Sequence, residues 1–140
     1  VLKDDKLLLM ERWRPGMHYF SVPGGGIEPG ETAEQTVVRE LLEETGCQVA
    51  IDRLLYTLHF ADGTEHSVFL CNYIAGEPHL PADSPEALET NSDNRFKPGW
   101  VPVADLPQTE FFVWQPIKVR LLHDLEHGFA PEPVTLASEA

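Results

Sequence analysis

Cysteine is scarce: Cys47 and Cys71 are the only two in 140 residues. Two cysteines build no disulfide framework, and a reducing, cytoplasmic setting is the expectation. No run of 18 apolar residues occurs, so no membrane-spanning helix is expected. No basic stretch leads into a short apolar run at the start, so no secretory leader is expected either. The chain opens on Val1 rather than Met, and a trimmed start with an incomplete first strand is expected. Basic residues are also few. Ten Lys and Arg stand against 23 Asp and Glu, a formal net charge of −13. That balance opposes a grip on nucleic acid or an anionic membrane, because both need arrays of Lys and Arg. It leaves room for a small phosphorylated ligand whose contact is mediated by a divalent cation. The charge is uneven: Lys3, Lys6, Arg12 and Arg14 come early, and acids dominate after three consecutive glycines, Gly24 to Gly26.

The length suggests one domain with a sizeable core. Lys6 to Arg12 reads as a buried strand, Pro15-Gly16 as a turn, and "YFSVP" as a short strand running into the glycines. A helix is predicted from about Ala33 to Thr45, with Thr32 and Gln35 at capping-box spacing and Gly46 as its stop. Val49 to Phe60 and Thr64 to Ile74 read as strands joined by a hairpin at Asp62-Gly63. The polar stretch from Glu77 to Pro98 reads as a long surface loop with one helical turn near Pro85 to Leu88. "GWVPV" reads as a short strand ending near Pro102. Helical spacing in Val113, Ile117, Leu121, Leu122 and Leu125 predicts a second helix, beginning near Trp114 or Gln115 so that Pro116 is tolerated. Residues 1–130 are expected to form the single domain and 131–140 a loose tail. More strands than helices, with two helices to cover them, favours an α/β fold with helices on both faces of a mixed sheet.

The acidic helix breaks a local rule. With Val37 at zero and about 100° per residue, Leu41, Thr45, Val38 and Leu42 fall between roughly 40° and 140°, the face expected to pack. Glu43, Glu40 and Glu44 fall between roughly 240° and 340° and form a stripe of their own. Like charges at this spacing repel. The stripe is either a solvated acidic face or a collector of hard divalent cations, which take oxygen ligands. The glycines favour the second reading: a loop without side chains lets a phosphate approach the backbone and leaves a carbonyl as a further oxygen ligand. Together these parts suit metal-assisted attack on a phosphate ester. Two familiar glycine motifs do not fit. No Lys-Ser/Thr pair follows the glycines, and Pro29 interrupts any dinucleotide-type turn.

The stretch from Gly25 to Cys47 resembles the signature of the Nudix hydrolases, G-x5-E-x7-R-E-U-x-E-E-x-G-U, where U is a bulky apolar residue. Gly25, Glu31, Arg39, Glu40, Leu41, Glu43, Glu44 and Gly46 fill it without a gap. Cys47 takes the last apolar place, where a larger side chain is usual; as a small hydrophobe it serves there. "KLLLMERW" before the signature and "PGWVPVADLP" after it resemble the family's flanking strands. The resemblance implies an α/β/α sandwich with a mixed sheet. It implies hydrolysis of a pyrophosphate bond in a nucleoside diphosphate linked to another moiety, with Mg²⁺ or Mn²⁺ as cofactor. A small nucleotide is the implied partner, a nucleoside triphosphate or a compact conjugate being favoured. Glu40, Glu43, Glu44 and the Gly24 carbonyl would hold the metal. Glu40 or Glu44 would orient or deprotonate the attacking water. Arg39 would hold Glu43 and Glu31 in place. The alternative is a catalytically silent relative that binds a nucleotide and regulates; such relatives lose glutamates from the helix, whereas all are present here.

Arg12 and Arg14, with Gly25 and Gly26, are candidates for substrate binding, since Arg makes bidentate phosphate contacts. Trp13, His18, Tyr19 and Phe20 are candidates for stacking a base, with packing the favoured role for Tyr19 and Phe20. A further metal-binding acid is common in the family three residues before the "WV" strand, where Lys97 stands here. Glu86, Glu89 and Asp93 are the substitutes within reach. Arg95 and Lys97 read as solvated loop charges ahead of phosphate ligands. Phe111, Phe112 and Trp114 are assigned to the core or to contact within a homodimer.

Overall fold

Leu7, Leu8, Leu9 and Met10 are all buried, so the strand carrying them is covered on both faces. The computed structural model describes residues 1–24, 28–91 and 93–138. In it β1 (Leu2–Lys3), β2 (Lys6–Arg14) and β3 (Met17–Ser21) precede the helix α1 (Ala33–Thr45). The strands β4 (Gln48–His59) and β5 (Glu65–Ala75) follow, then α2 (Pro85–Glu89), β6 (Arg95–Pro102), α3 (Gln115–His127) and β7 (Val134–Ala137). Short 3₁₀ turns occupy Val103–Gln108 and Phe112–Trp114. Among the described residues no helix is long and apolar enough to cross a membrane.

β2 is central to an antiparallel sheet, flanked by β1 and β3 on one edge and by β6 on the other. A second sheet has the order β5-β4-β7, with β4 antiparallel to β5 and parallel to β7. The Asp62-Gly63 hairpin is present, with Gly63 at φ +90. The two helices cover opposite sides. Leu7 and Leu9 pack with Ile117 and Leu121 of α3, together with Leu55, Tyr56 and Leu58 of β4. Leu8 points the other way and packs with Leu41 of α1, Val49 and Cys71. This is α/β layering, as the strand and helix pattern implies, with one antiparallel and one mixed sheet in place of the single mixed sheet expected.

Three expectations need correction. The tail expected to be loose contains β7, whose Val134–Ala137 pairs with Tyr56–His59, and Ser138 N–H donates to the His59 carbonyl at 2.9 Å. The parallel edge of β4 would otherwise be open, and Val134 and Leu136 supply apolar cover for the α3 core. The surface loop is shorter than expected, because β6 begins at Arg95 and pairs with β2 as far as Trp13. The third concerns α1: Thr36, Leu41, Glu44 and Thr45 are buried, while Val38 and Leu42 are 36% and 48% exposed. The adjacent apolar pairs Val37-Val38 and Leu41-Leu42 permit two rotations of the helix. In the one adopted, Glu44 is turned inward, where it accepts the Gly24 N–H, and Glu43 stays exposed.

On the α3 side, a buried polar cluster ties α3 to β4. Tyr56 Oη donates to Asp124 Oδ2 at 2.7 Å, Arg120 Nε lies 3.0 Å from Asp124 Oδ1, and His123 Nδ1 lies 3.1 Å from the same oxygen. Although burial alone would raise it, these partners hold the Asp124 carboxyl below its ordinary pKa. Removing the phenolic donor with Tyr56→Phe is expected to lower unfolding free energy by about 1.5–3 kcal/mol, the range for a bond to a charged group. Urea titration at pH 7 reads this directly. The Asp124 contribution is full above its unfolded pKa and fades as pH falls through the lower folded value. The gap between native protein and Asp124→Asn should therefore narrow in acid; a gap that stays constant with pH would refute that assignment.

Candidate active site

The position of α1 is set at both of its ends. Thr32 Oγ1 accepts the Gln35 N–H at 3.1 Å and Gln35 Oε1 accepts the Thr32 N–H at 2.9 Å, a complete capping box. At the other end Gly46 adopts the left-handed conformation, φ +72, and its N–H donates to the Leu42 carbonyl. A Cβ here would lie 2.2 Å from the His79 ring, so the position demands glycine twice over. His79 N–H donates to the Thr45 carbonyl at 2.9 Å, and Tyr73 Oη donates to the Gly76 carbonyl at 2.7 Å. This clasp anchors the start of the segment that leads on to α2. There Ser84 Oγ caps the short helix by accepting the Ala87 N–H, with Pro85 as its first residue.

Arg39 organises the exposed half of the acidic stripe. Its Nε and Nη2 reach Glu31 Oε2 and Oε1 at 2.6 and 3.0 Å, a two-point fork. Its Nη1 lies 3.0 Å from both Glu40 Oε1 and Glu43 Oε2, and 3.7 Å from Glu28 Oε1. Glu31 also accepts the Glu28 N–H and the Thr36 hydroxyl. The Arg39 guanidinium, followed by these donors, pulls the Glu31 carboxyl down to about 2. The same contacts raise the Arg39 pKa further above its ordinary value.

Glu44 forms the buried half. Its Oε2 accepts the Gly24 N–H at 3.0 Å, which joins the glycine turn to the helix. Burial, then the nearby Glu86 carboxylate, push the Glu44 carboxyl up to about 8, against the lowering effect of the Gly24 bond. Glu40 is also raised, first by burial, with Arg39 opposing and Glu43 and Glu86 adding to the rise. Glu86 Oε2 is buried without a hydrogen-bond partner. A carboxylate beside an unpartnered carboxylate must share a proton or a cation. Among the described residues no three His, Cys, Asp or Glu side chains converge into a closed cation cage, as Arg39 engages Glu31, Glu40 and Glu43.

The sequence candidates separate by strand face. Arg12 alternates with Leu8 along β2 and so shares the α1 side of the sheet. Its neighbours across the sheet are Tyr19 and Phe96. Arg12 Nη2 donates to Asn94 Oδ1 at 2.8 Å, and its charge is felt by Arg14, Glu89 and Glu86. Arg14 has the same parity and is exposed at the strand end. Trp13 points to the opposite face, where its ring stacks on His18 at 5.0 Å and under Arg95 at 4.6 Å. Lys97 pairs with Glu11 on that face too, and Phe20 joins the α3 core. Phe111 is fully buried and Trp114 packs against the α3 core, whereas Phe112 is 54% exposed. Gly25 and Gly26 lie outside the described residues. Thus Gly24, Glu31, Arg39, Glu40, Glu43 and Glu44 come together with Glu86, while Asp93 is exposed. The Ser84-Pro85-Glu86 run, a helix-start signal, marks Glu86 as a first-turn acid, and of the three substitutes it is the one whose charge acts on both Glu44 and Glu40.

A family model described as the NUDIX domain matches residues 1–124. An ADP-ribose pyrophosphatase of Methanocaldococcus jannaschii is 41% identical over 93 residues, covering 62% of this chain and 55% of that protein. A putative 8-oxo-dGTP diphosphatase of Bacillus subtilis is 29% identical over 139 residues, covering 97% of this chain and 82% of that protein. The chain spans about half or less of some relatives, 37% in the case of a putative mutator protein MutT4 of Mycobacterium tuberculosis. Among solved structures, a NUDIX hydrolase from Nitrosomonas europaea superposes with a TM-score of 0.69 at 21% identity, covering 97% of this chain and 74% of that one. A MutT structure from work on Aliivibrio salmonicida and Vibrio cholerae gives 0.65 at 24% identity, covering 85% of both chains. The matched region takes in the glycine turn, the acidic helix and Glu86, and the chain belongs to the NUDIX domain family.

Proposed function

We propose that the chain hydrolyses a pyrophosphate bond in a nucleoside diphosphate linked to another moiety, with Mg²⁺ or Mn²⁺ as cofactor. The observation that carries this reading is the pair Glu44 and Glu86: two carboxylates side by side, one buried and the other with an unpartnered buried oxygen. Hard oxygen donors of this kind fit Mg²⁺ or Mn²⁺. Glu40, Glu43, Glu44 and the Gly24 carbonyl would hold the cation, with Glu86 as an added carboxylate. When bound, the cation neutralises diphosphate charge and lowers the pKa of a coordinated water.

The chain's own groups divide the remaining work. Arg39 fixes the rotamers of Glu31, Glu40 and Glu43 through its three nitrogens. The Gly24 N–H holds one oxygen of Glu44, and leaves the carboxylate as an acceptor for a proton from water once it is ionised. Glu40 is the second candidate for that role. Arg12 and Arg14 bring positive charge to the α1 side of the sheet for the substrate phosphates, and Gly25 and Gly26 are the further candidates for substrate contact. No Ser, Cys or His nucleophile is needed. The relatives' names, ADP-ribose pyrophosphatase and putative 8-oxo-dGTP diphosphatase, support a nucleotide substrate and differ on which one. A nucleoside triphosphate or a small nucleotide conjugate is the favoured substrate.

Phosphate release over a nucleotide panel, with and without Mg²⁺, tests the proposal. Glu44→Gln and Glu40→Gln are each expected to lower kcat by roughly 100-fold or more with the fold intact. Near-normal turnover in both variants would remove these residues from catalysis.

A second expectation concerns pH without divalent cations. The folded Glu44 carboxyl titrates near 8, above its ordinary 4.5. Its stabilising effect is full below the unfolded value and is lost as pH rises through 8. In EDTA the native Tm should therefore fall between pH 5 and pH 8 more steeply than that of Glu44→Gln, and Mg²⁺ should restore it. Parallel Tm profiles would show that Glu44 is not the group responsible.

A further inference from the structure

Four side chains form a line across the α1 side of the sheet. Tyr19, Arg12 and Phe96 are direct cross-strand partners on β3, β2 and β6. The Arg12 guanidinium lies 3.6 Å from the Phe96 ring centre and 5.9 Å from that of Tyr19. Phe112 extends the line, its ring centre 5.9 Å from that of Tyr19 at a 40° tilt.

Phe112 is the unusual member. It adopts φ +52, a left-handed conformation that costs energy in a residue with a side chain. The turn is held by two contacts. Phe111 is fully buried in the α3 core, and Phe112 N–H donates to Glu110 Oε1 at 3.0 Å. Glu110 also accepts the Phe20 N–H at its carbonyl, 2.7 Å away, which docks the turn along the outer edge of β3. The outcome is that Phe111 goes into the core and Phe112 is turned out beside Tyr19, 54% exposed. Folding alone would favour burying that ring. Arg12 shows a matching deficit: its Nε is buried and has no hydrogen-bond partner among the described residues. The exposed Phe112 ring, beside the half-buried Tyr19 and the Arg12 guanidinium, suits stacking of a flat heteroaromatic ring.

The line is continuous with the carboxylate site. β3 leads from Tyr19 towards Gly24, which bonds Glu44, and Arg12 feels the charge of Glu86. We infer that Phe112, Tyr19 and Arg12, backed by Phe96, form the platform on which the substrate's nucleobase stacks, with Phe112 and Tyr19 supplying the stacking surface and the Arg12 guanidinium, held on Phe96, the positive charge beside it. This rests on the proposed nucleotide substrate and adds which residues select it. Trp13 and His18, whose aromatic rings also stand on β2 and β3, are excluded by facing the other way.

The test compares ligands that share phosphates and differ in having a base. With Mg²⁺ present, calorimetry measures Kd for α,β-methylene analogues of GTP and ATP and for inorganic tripolyphosphate. Phe112→Ala should weaken the tighter nucleotide roughly tenfold or more. It should leave tripolyphosphate unchanged, and Phe112→Trp should retain nucleotide binding. Phe112 is exposed, so the alanine variant keeps its fold, which an unchanged Tm verifies. Nucleotide affinity unaltered in Phe112→Ala, or equal losses for nucleotide and tripolyphosphate, would overturn the inference. Because binding is measured apart from turnover, a native protein that binds these probes with this dependence yet turns over no nucleotide would sink the hydrolase reading and leave the platform standing.

Discussion

Mutual repulsion among carboxylates is the constraint that the rest of the structure answers. Glu40, Glu43, Glu44 and Glu86 are brought together by α1 and the short, distant helix α2. Arg39 answers for part of the group, with one fork on Glu31 and one nitrogen shared by Glu40 and Glu43. Among the described residues Glu44 and Glu86 make no salt bridge, and Glu86 feels only the charge of Arg12. Glu44 meets its share by burial, a single backbone N–H and a pKa near 8. A site half neutralised from within and half left in need of charge is poised for an external cation. The chain's net charge of −13 argues that this cation also mediates the approach of any anionic substrate.

The scaffold explains why such crowding is tolerated. α1 is fixed by a capping box at one end and by a left-handed glycine at the other, and Leu41 anchors it on Leu8 and Val49. The opposite core, built on Leu9, Tyr56, Leu58 and Ile117, is larger and holds the buried Asp124 cluster well away from the chemistry. Stability is thus concentrated on the α3 side, and unfavourable electrostatics on the α1 side. Phe112 belongs to the same division: a strained, outward-facing ring sits on the α1 side beside Tyr19, and its neighbour Phe111 anchors the turn from the core side.

Local signals made much of this legible. The Thr32–Gln35 pair and Gly46 bounded α1 correctly, and Asp62-Gly63 located the hairpin, because each acts through neighbouring backbone. The spacing of Arg39, Glu40, Glu43 and Glu44 pointed to the site, because one helix carries all four. What depended on distant contacts was hidden. The rotation of α1 was ambiguous in its paired apolar residues and was decided by the Gly24–Glu44 bond. The choice of Glu86 over Glu89 or Asp93 depended on how the segment after β5 packs against α1, which no local pattern encodes. β7 exists because β4 offers a free edge, and Phe112 faces outward through a left-handed backbone that its sequence neighbours do not announce.

Titration of the native chain with Mn²⁺ or Mg²⁺ at pH 7, in two buffers of different ionisation enthalpy, is the most direct measurement. The account predicts saturable uptake accompanied by release of close to one proton, because Glu44 must ionise as the ion enters. The release should vanish in Glu44→Gln. No uptake by the native chain, with or without a non-hydrolysable nucleotide present, would contradict it.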